Sequence, residues 1–173
     1  ERCIRDRPKT FRCCVMPDVH DHATRSRNMA AVRGRNTKPE LIIRKGLHAA
    51  GLRYRLHVKD LPGKPDLVFP KYRAAVFVHG CFWHGHACPL FKLPETRADF
   101  WQQKIEGNVA RDEAAMVKLR GLGWRVGVVW ECALRGKDRR DLTDVLSELS
   151  SWIRSDSDRI TIAGSGVADA ADP

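Results

Sequence analysis

Ten consecutive residues, His79-Gly80-Cys81-Phe82-Trp83-His84-Gly85-His86-Ala87-Cys88, constrain this chain more than any other stretch. Three His and two Cys crowd there around two bulky aromatics, Phe82 and Trp83. Thiolate and imidazole are soft to borderline donors that suit zinc. Metal ligation alone has no need of adjacent rings. A site that holds metal, moves protons and pushes rings into something flat needs all of these groups. Cys81, His86 and Cys88 can reach one tetrahedral centre, one ligand short of the usual set for a structural site. Beyond residue 16 the remaining Cys is Cys132, just past an apolar run ending in Val129-Trp130. If that run is a strand lying beside one that ends at Val78, Cys132 emerges next to the loop. The alternative is that Cys132 is a small buried apolar side chain, a common role for a free thiol.

The chain has 173 residues, about one domain and enough to bury a core without disulfides. Its formal net charge is +10, spread unevenly: +5 over residues 1–35, +8 over residues 36–154 and −3 over the last nineteen. A basic body suits a polyanionic partner, because neutralising phosphates releases counterions. An ordinary enzyme with a solubilising charge is the plainer reading. No apolar run approaches the ~18 residues of a membrane span, and the first residues lack the apolar stretch of a secretory signal. A cytoplasmic location with reduced thiols is therefore expected, and membrane association is not.

Residues 1–15 are basic, Cys-rich and patternless, and read as a non-native or disordered extension ahead of a natural start at Met16. Residues 16–37 are polar and read as an N-terminal arm. Thr37-Lys38-Pro39-Glu40 opens a helix, with Thr37 as N-cap, Glu40 closing a capping box and Gly51 ending it. Leu52 to Val58 alternates like a strand. Asp66–Phe69 and Ala74–Val78 are β-rich and predict a hairpin around Pro70-Lys71-Tyr72-Arg73. Arg97 to Leu122 predicts a long helix, weakened at Gly107. Trp124 to Trp130 is a continuous apolar strand, as in a sheet covered on both faces. Leu142 to Ile153 predicts an amphipathic helix. The working domain is thus residues 38–154, and residues 155–173, rich in Gly, Ala, Ser and Asp, read as a disordered tail. Helices alternating with strands predict an α/β fold with a mixed central sheet flanked by helices.

Pro65-Asp66 at the head of a strand is a weak signal by itself, since turns contain such pairs constantly. Many nucleases do hold magnesium with an Asp at that place, because the ion takes hard oxygen ligands. The following strand, Val76-Phe77-Val78-His79, lacks the acid and Lys that often complete the pattern.

Taken together, Pro62-Gly63-Lys64-Pro65-Asp66, His79-Gly80-Cys81-Phe82-Trp83-His84 and Trp130-Glu131-Cys132 resemble the very short patch repair endonucleases, the Vsr family. The resemblance runs from about Asp18 to Ile153 and takes in Thr24-Arg25-Ser26 through Met29, Thr37-Lys38-Pro39-Glu40 and Gly123-Trp124-Arg125-Val126. It implies a restriction-endonuclease-like fold with a structural zinc site. It implies magnesium-dependent nicking of double-stranded DNA beside the thymine of a T:G mismatch, the lesion left when 5-methylcytosine deaminates. Bacterial cytoplasm, action at the nucleoid, a monomer, and a functional link to a cytosine-5 DNA methyltransferase and mismatch-repair proteins follow from it.

The resemblance also implies roles. Asp66 and the main-chain carbonyl of Val78, where the family commonly has Thr, would hold catalytic magnesium. His79 and Glu40 would position its waters, although Glu40 also reads as a simple cap. His84 would be the general base, oriented by Asp112, whose plainer alternative is a solvated helix position. Cys81, His86, Cys88 and Cys132 would bind zinc. Phe82, Trp83 and Trp101 would enter the base stack, with ordinary core packing as the alternative for Trp101 or its neighbour Phe100. A zinc-stabilised DNA-binding protein without catalysis is the competing class. It has no use for Asp66, His79, His84 and Asp112 together. A restriction or homing-type nuclease is a lesser variant.

Overall fold

The structure is a computed structural model that describes Thr24, Arg27 and residues 34–166. The chain divides into a unit of residues 1–32 and a unit of residues 33–173. The expectations for residues 1–15 and for most of the arm lie outside the described residues.

Helix α1 spans Lys38–Ala49 and starts as its sequence dictates: Thr37 is the N-cap, and the capping box with Glu40 closes in both directions. The expected strand over Leu52–Val58 does not form. One bridge, Arg55 to Val68, is all that pairs, and His57 turns the chain away at a left-handed φ of 51°. Strand β1 (Leu67–Phe69) and strand β2 (Ala74–His79) make the expected antiparallel hairpin, with Phe69 opposite Ala74 and Leu67 opposite Val76. A 3-10 turn at Pro70–Tyr72 and left-handed Arg73 reverse the chain between them.

Helix α2 runs over Ala98–Gly121 without a break at Gly107. Strand β3 (Arg125–Trp130) pairs parallel to β2, and the short helix α3 (Glu131–Leu134) follows at once. Helix α4 spans Leu142–Arg154, capped by Asp141, whose side chain accepts from the Thr143 amide and is thereby held below the usual carboxylate pKa range.

A correction concerns the segment after residue 154. Arg159–Ile162 form strand β4, parallel to β3, so the stretch is ordered sheet and not tail. The Gly, Ser and Asp around it hid a four-residue alternation in which Ile162 is fully buried. Gly164 continues this segment where a Cβ would lie 2.8 Å from the Cys132 carbonyl and 2.7 Å from that of Asp138, so only Gly fits.

The sheet order is β1-β2-β3-β4, mixed in direction. Side-chain alternation divides β2 between two layers. Ala74, Val76 and Val78 face α1 and α4, in a core with Ile43, Leu47, Val145, Leu149 and Trp152. Ala75 and Phe77 face the other way, against Leu119 and Met116 of α2. By the same alternation His79, the last residue of β2, lies on the α2 side.

Candidate active site and metal centre

Two parallel strands ending together bring the chemistry to one edge. His79 is paired with Trp130 across β2 and β3. Cys81 and Cys132 therefore leave the two strand ends side by side, each two residues further on. The loop after β2 folds back on itself through Trp83 N–H to the Gly80 carbonyl (3.1 Å) and His86 N–H to the Cys81 carbonyl (3.0 Å). Gly85 makes the reversal at φ 64°, a left-handed conformation that favours glycine, where a Cβ would also lie tightly against Ile105 and Val109 of α2.

The ligand atoms of Cys81, His86, Cys88 and Cys132 all lie within 4.8 Å of one another. Cys132 Sγ sits 3.5 Å from His86 Nδ1 and accepts the Gly164 amide at 3.3 Å. The His86 ring is fixed by stacking on Trp130, centroids 4.1 Å apart. Burial pushes the Cys81 thiol well above its ordinary pKa, raises that of Cys132 and lowers that of the His86 imidazole. Three thiols and an imidazole nitrogen converging on one point fit a soft divalent cation. Without one, buried sulfurs face each other with few donors to satisfy them.

A second group occupies the α2 side of the sheet end. Ligand atoms of His79, His84 and Asp112 lie within 4.8 Å of one another. Asp112, from the middle of α2, places Oδ2 2.5 Å from His84 Nδ1. The His84 ring lies flat on His79, with centroids 3.8 Å apart and planes 1° apart. His79 is buried, and desolvation, with His84 beside it, holds its pKa down to about 3. It is neutral at any physiological pH.

Asp66 precedes β1 directly, and its Oδ2 accepts the Val78 amide at 2.8 Å. Partial burial outweighs that bond and raises its pKa to about 6, with Glu40 adding negative charge nearby. In a strand the N–H and C=O of one residue leave on the same edge. The Val78 carbonyl therefore projects toward Asp66, beyond the last hairpin pair, Leu67 with Val76. A half-buried carboxylate beside a carbonyl off the end of a ladder is a set of hard oxygens that fits magnesium.

Glu40 is buried, and its carboxylate accepts from Thr37 Oγ1 (2.9 Å), from the amides of Thr37 and Asn36, and from Arg44 Nη2 (2.8 Å). The capping reading of Glu40 holds. Arg44 is a residue that sequence reasoning missed. The spacing of Glu40 and Arg44, four apart on one helix, was the signal.

Phe82, Trp83 and Trp101 form one aromatic group, with Phe82 5.2 Å from Trp83 and 5.5 Å from Trp101, and Trp83 6.0 Å from Trp101. Trp101 is the buried member beneath the loop, whereas Phe100 points outward. Asn108 Nδ2 donates to the Trp83 carbonyl at 2.8 Å and ties the loop to α2. Lys104 Nζ lies within 6 Å of the Trp83, Phe100 and Trp101 rings. Lys104 and Asn108 carry no motif of their own, and only the folded arrangement singles them out.

Comparison with known proteins agrees with this geometry. Residues 17–90 match the sequence model of the family described as DNA mismatch endonuclease Vsr. The chain is 49% identical over 138 residues to DNA mismatch endonuclease Vsr of Escherichia coli, covering 80% of this chain and 88% of that protein. It is 56% identical over 106 residues to the type II nicking enzyme V.XorIIP of Xanthomonas oryzae, covering 61% of this chain and 78% of that one. With V.NmeAIP of Neisseria meningitidis, another type II nicking enzyme, the identity is 43% over 122 residues, 70% of this chain and 87% of the relative. Sequence likeness across most of both chains, together with the Cys/His/aromatic loop and its neighbouring acids, establishes that this chain belongs to the Vsr family of DNA mismatch endonucleases.

Proposed function

We propose that the protein nicks one strand of double-stranded DNA beside the thymine of a T:G mismatch, in the short-patch repair of deaminated 5-methylcytosine. The observation that carries this reading is the His84–Asp112 pair set at the same sheet end as Asp66. Asp112 takes one imidazole nitrogen, Nδ1, and leaves Nε2 of His84 to accept a proton from attacking water. A non-catalytic DNA-binding module has no use for that pairing.

Asp66 and the Val78 carbonyl would hold Mg²⁺, which when bound supplies Lewis-acid stabilisation of the developing charge on the phosphate. His79, neutral and wedged against His84, and Glu40, fixed by its cap, shape the solvent around that position. Cys81, His86, Cys88 and Cys132 would hold a structural Zn²⁺ that pins the loop carrying Phe82, Trp83 and His84. Phe82 and Trp83 enter the stack at the mismatch, with Trp101 supporting them from beneath. A wobble pair costs less to unstack than a matched one, so ring insertion, a few kcal/mol per step, is selective there.

The reading includes a restriction-endonuclease-like fold, a monomer acting in the bacterial cytoplasm, and a link to a cytosine-5 DNA methyltransferase. No helix among the described residues is long and apolar enough to cross a membrane. The test is strand-resolved cleavage of labelled duplexes that differ only in T:G, T:A or C:G at one position. One nick on the thymine strand of the T:G duplex is expected. Equal cleavage of all three would contradict it.

A further inference from the structure

Four of the six residues Arg135-Gly136-Lys137-Asp138-Arg139-Arg140 are basic, and none belongs to the site above. The segment leaves α3, so it starts from the sheet edge that also carries the Cys/His loop. Its course is fixed. The Arg140 amide donates to the Ala133 carbonyl at 2.9 Å, and the Ser165 amide donates to the Asp138 carbonyl at 2.7 Å. Gly136 turns at φ 92°, where a Cβ would lie 3.2 Å from Leu90 of the Cys/His loop. A charge run that merely solubilises needs none of these ties.

Among the described residues a cleft of about 400 Å³ opens between this segment and α1, lined by Ile42, Leu134, Arg139, Arg140, Asp141 and Leu142. Ile42 and Leu142 are apolar yet 38% and 42% exposed. Two of the charges are already engaged. Asp141 caps α4 through the Thr143 amide, and Arg140 Nη2 donates to Glu148 Oε2 at 2.5 Å. Arg139 is exposed and makes only a long contact of 3.5 Å to the Gly136 carbonyl, and Lys137 beside it is exposed as well. The cleft thus sets positive charge next to apolar carbon. A sugar–phosphate backbone has the matching pattern, with anionic oxygens beside deoxyribose carbons. An acidic peptide would match it too. The segment's origin at the carboxyl ends of β2 and β3, where open α/β sheets bind their ligands, favours the duplex.

We propose that this cleft receives the backbone of the DNA substrate, with phosphate oxygens on Arg139 and Lys137 and a deoxyribose over Ile42 and Leu142. The inference rests on the reading of double-stranded DNA as the substrate. Backbone contacts fix the protein's register on the duplex and carry no sequence information. They therefore contribute equally to matched and mismatched DNA, unlike Trp83.

The test measures binding of the full chain to T:G and T:A duplexes by fluorescence anisotropy over a range of salt concentrations. Native protein is compared with Lys137→Gln plus Arg139→Gln, with Ile42→Glu, and with a control, Lys118→Gln plus Arg120→Gln. The control removes the same charge at the C-terminal end of α2, where the chain enters the opposite edge of the sheet. Losing two phosphate contacts should flatten the dependence of log affinity on log salt by about 1.8, at about 0.9 per contact for B-DNA. Both duplexes should weaken by the same factor. Ile42→Glu, which puts a carboxylate in the cleft, should also weaken both alike, and the control should keep the native slope. All the altered positions are exposed, and thermal unfolding checks that each variant folds. A native slope for Lys137→Gln plus Arg139→Gln, a change no larger than the control's, or native affinity for Ile42→Glu would overturn the proposal. If the native chain shows no salt-dependent binding to duplex DNA, the substrate reading has failed and the role of the cleft falls with it. If native binding is intact and the cleft variants match it, only the role of the cleft has failed.

Discussion

Asp112 Oδ2 lies 2.5 Å from His84 Nδ1, joining the middle of α2 to a loop 28 residues earlier in the chain. The bond fixes both the tautomer and the direction of the imidazole, a recurring device in general-base sites. His84→Ala should lower the nicking rate by about 10²–10⁴-fold, the usual scale for a general base. Asp112→Asn should lower kcat by at least about tenfold, since an amide can hold the ring in the wrong tautomer. Single-turnover kinetics on saturating mismatched duplex read both. A normal rate for Asp112→Asn would reduce Asp112 to a solvated helix position.

Asp66 makes stability depend on pH in a definite direction. Its folded pKa, about 6, lies above the ordinary 3.8, so the metal-free folded state binds the proton more tightly than the unfolded chain. That contribution is fully present below about pH 4 and is lost as pH rises through about 6. Above pH 6 the ionised carboxylate is a net cost. Asp66→Asn should therefore be more stable than the native chain at pH 8 without Mg²⁺, by about 1–3 kcal/mol. The difference should shrink towards pH 4. Urea unfolding at both pH values checks it, and a less stable variant at pH 8 would contradict the sign.

Much of this was legible before any coordinates. The capping box at Thr37 and Glu40, the hairpin around Pro70 and the continuous apolar strand ending at Trp130 are local patterns, and each forms where its residues place it. The pairing of β2 with β3 was only the condition under which Cys132 would reach the loop, and the two strands do pair. What the sequence hid was non-local. Arg159–Ile162 are a strand only because β3 offers an open edge. The stretch Leu52–Val58 alternates correctly yet is stopped by one left-handed residue, His57. The spacing of Glu40 and Arg44 signals a helical ion pair, and only the fold shows that the pair is buried.

The Cys81, His86, Cys88 and Cys132 centre should carry one zinc per chain, countable by elemental analysis of purified protein. Cys88→Ser should lower the melting temperature and release the metal, because a structural zinc site contributes directly to folding free energy. Since the same loop carries Trp83 and His84, activity should fall with zinc occupancy. A zinc-free protein of full stability would contradict this.

Trp83→Ala should weaken binding to mismatched duplex more than to matched duplex. Losing one stacking contact costs about 1–3 kcal/mol, whereas phosphate contacts dominate on matched DNA and stay in place. Trp101→Ala should instead cost stability, since Trp101 is the buried member of the group. Competition binding with both duplexes at one salt concentration decides it. Equal weakening on the two would return Trp83 to a packing role.

The most direct measurement compares native protein with Asp66→Ala on a duplex bearing a single T:G pair, following DNA binding and strand cleavage in the same samples with and without Mg²⁺. Native protein is expected to nick the thymine strand only when Mg²⁺ is present. Asp66→Ala should bind the duplex with near-native affinity and leave it intact. Substantial Mg²⁺-dependent nicking by Asp66→Ala would contradict the account at its centre.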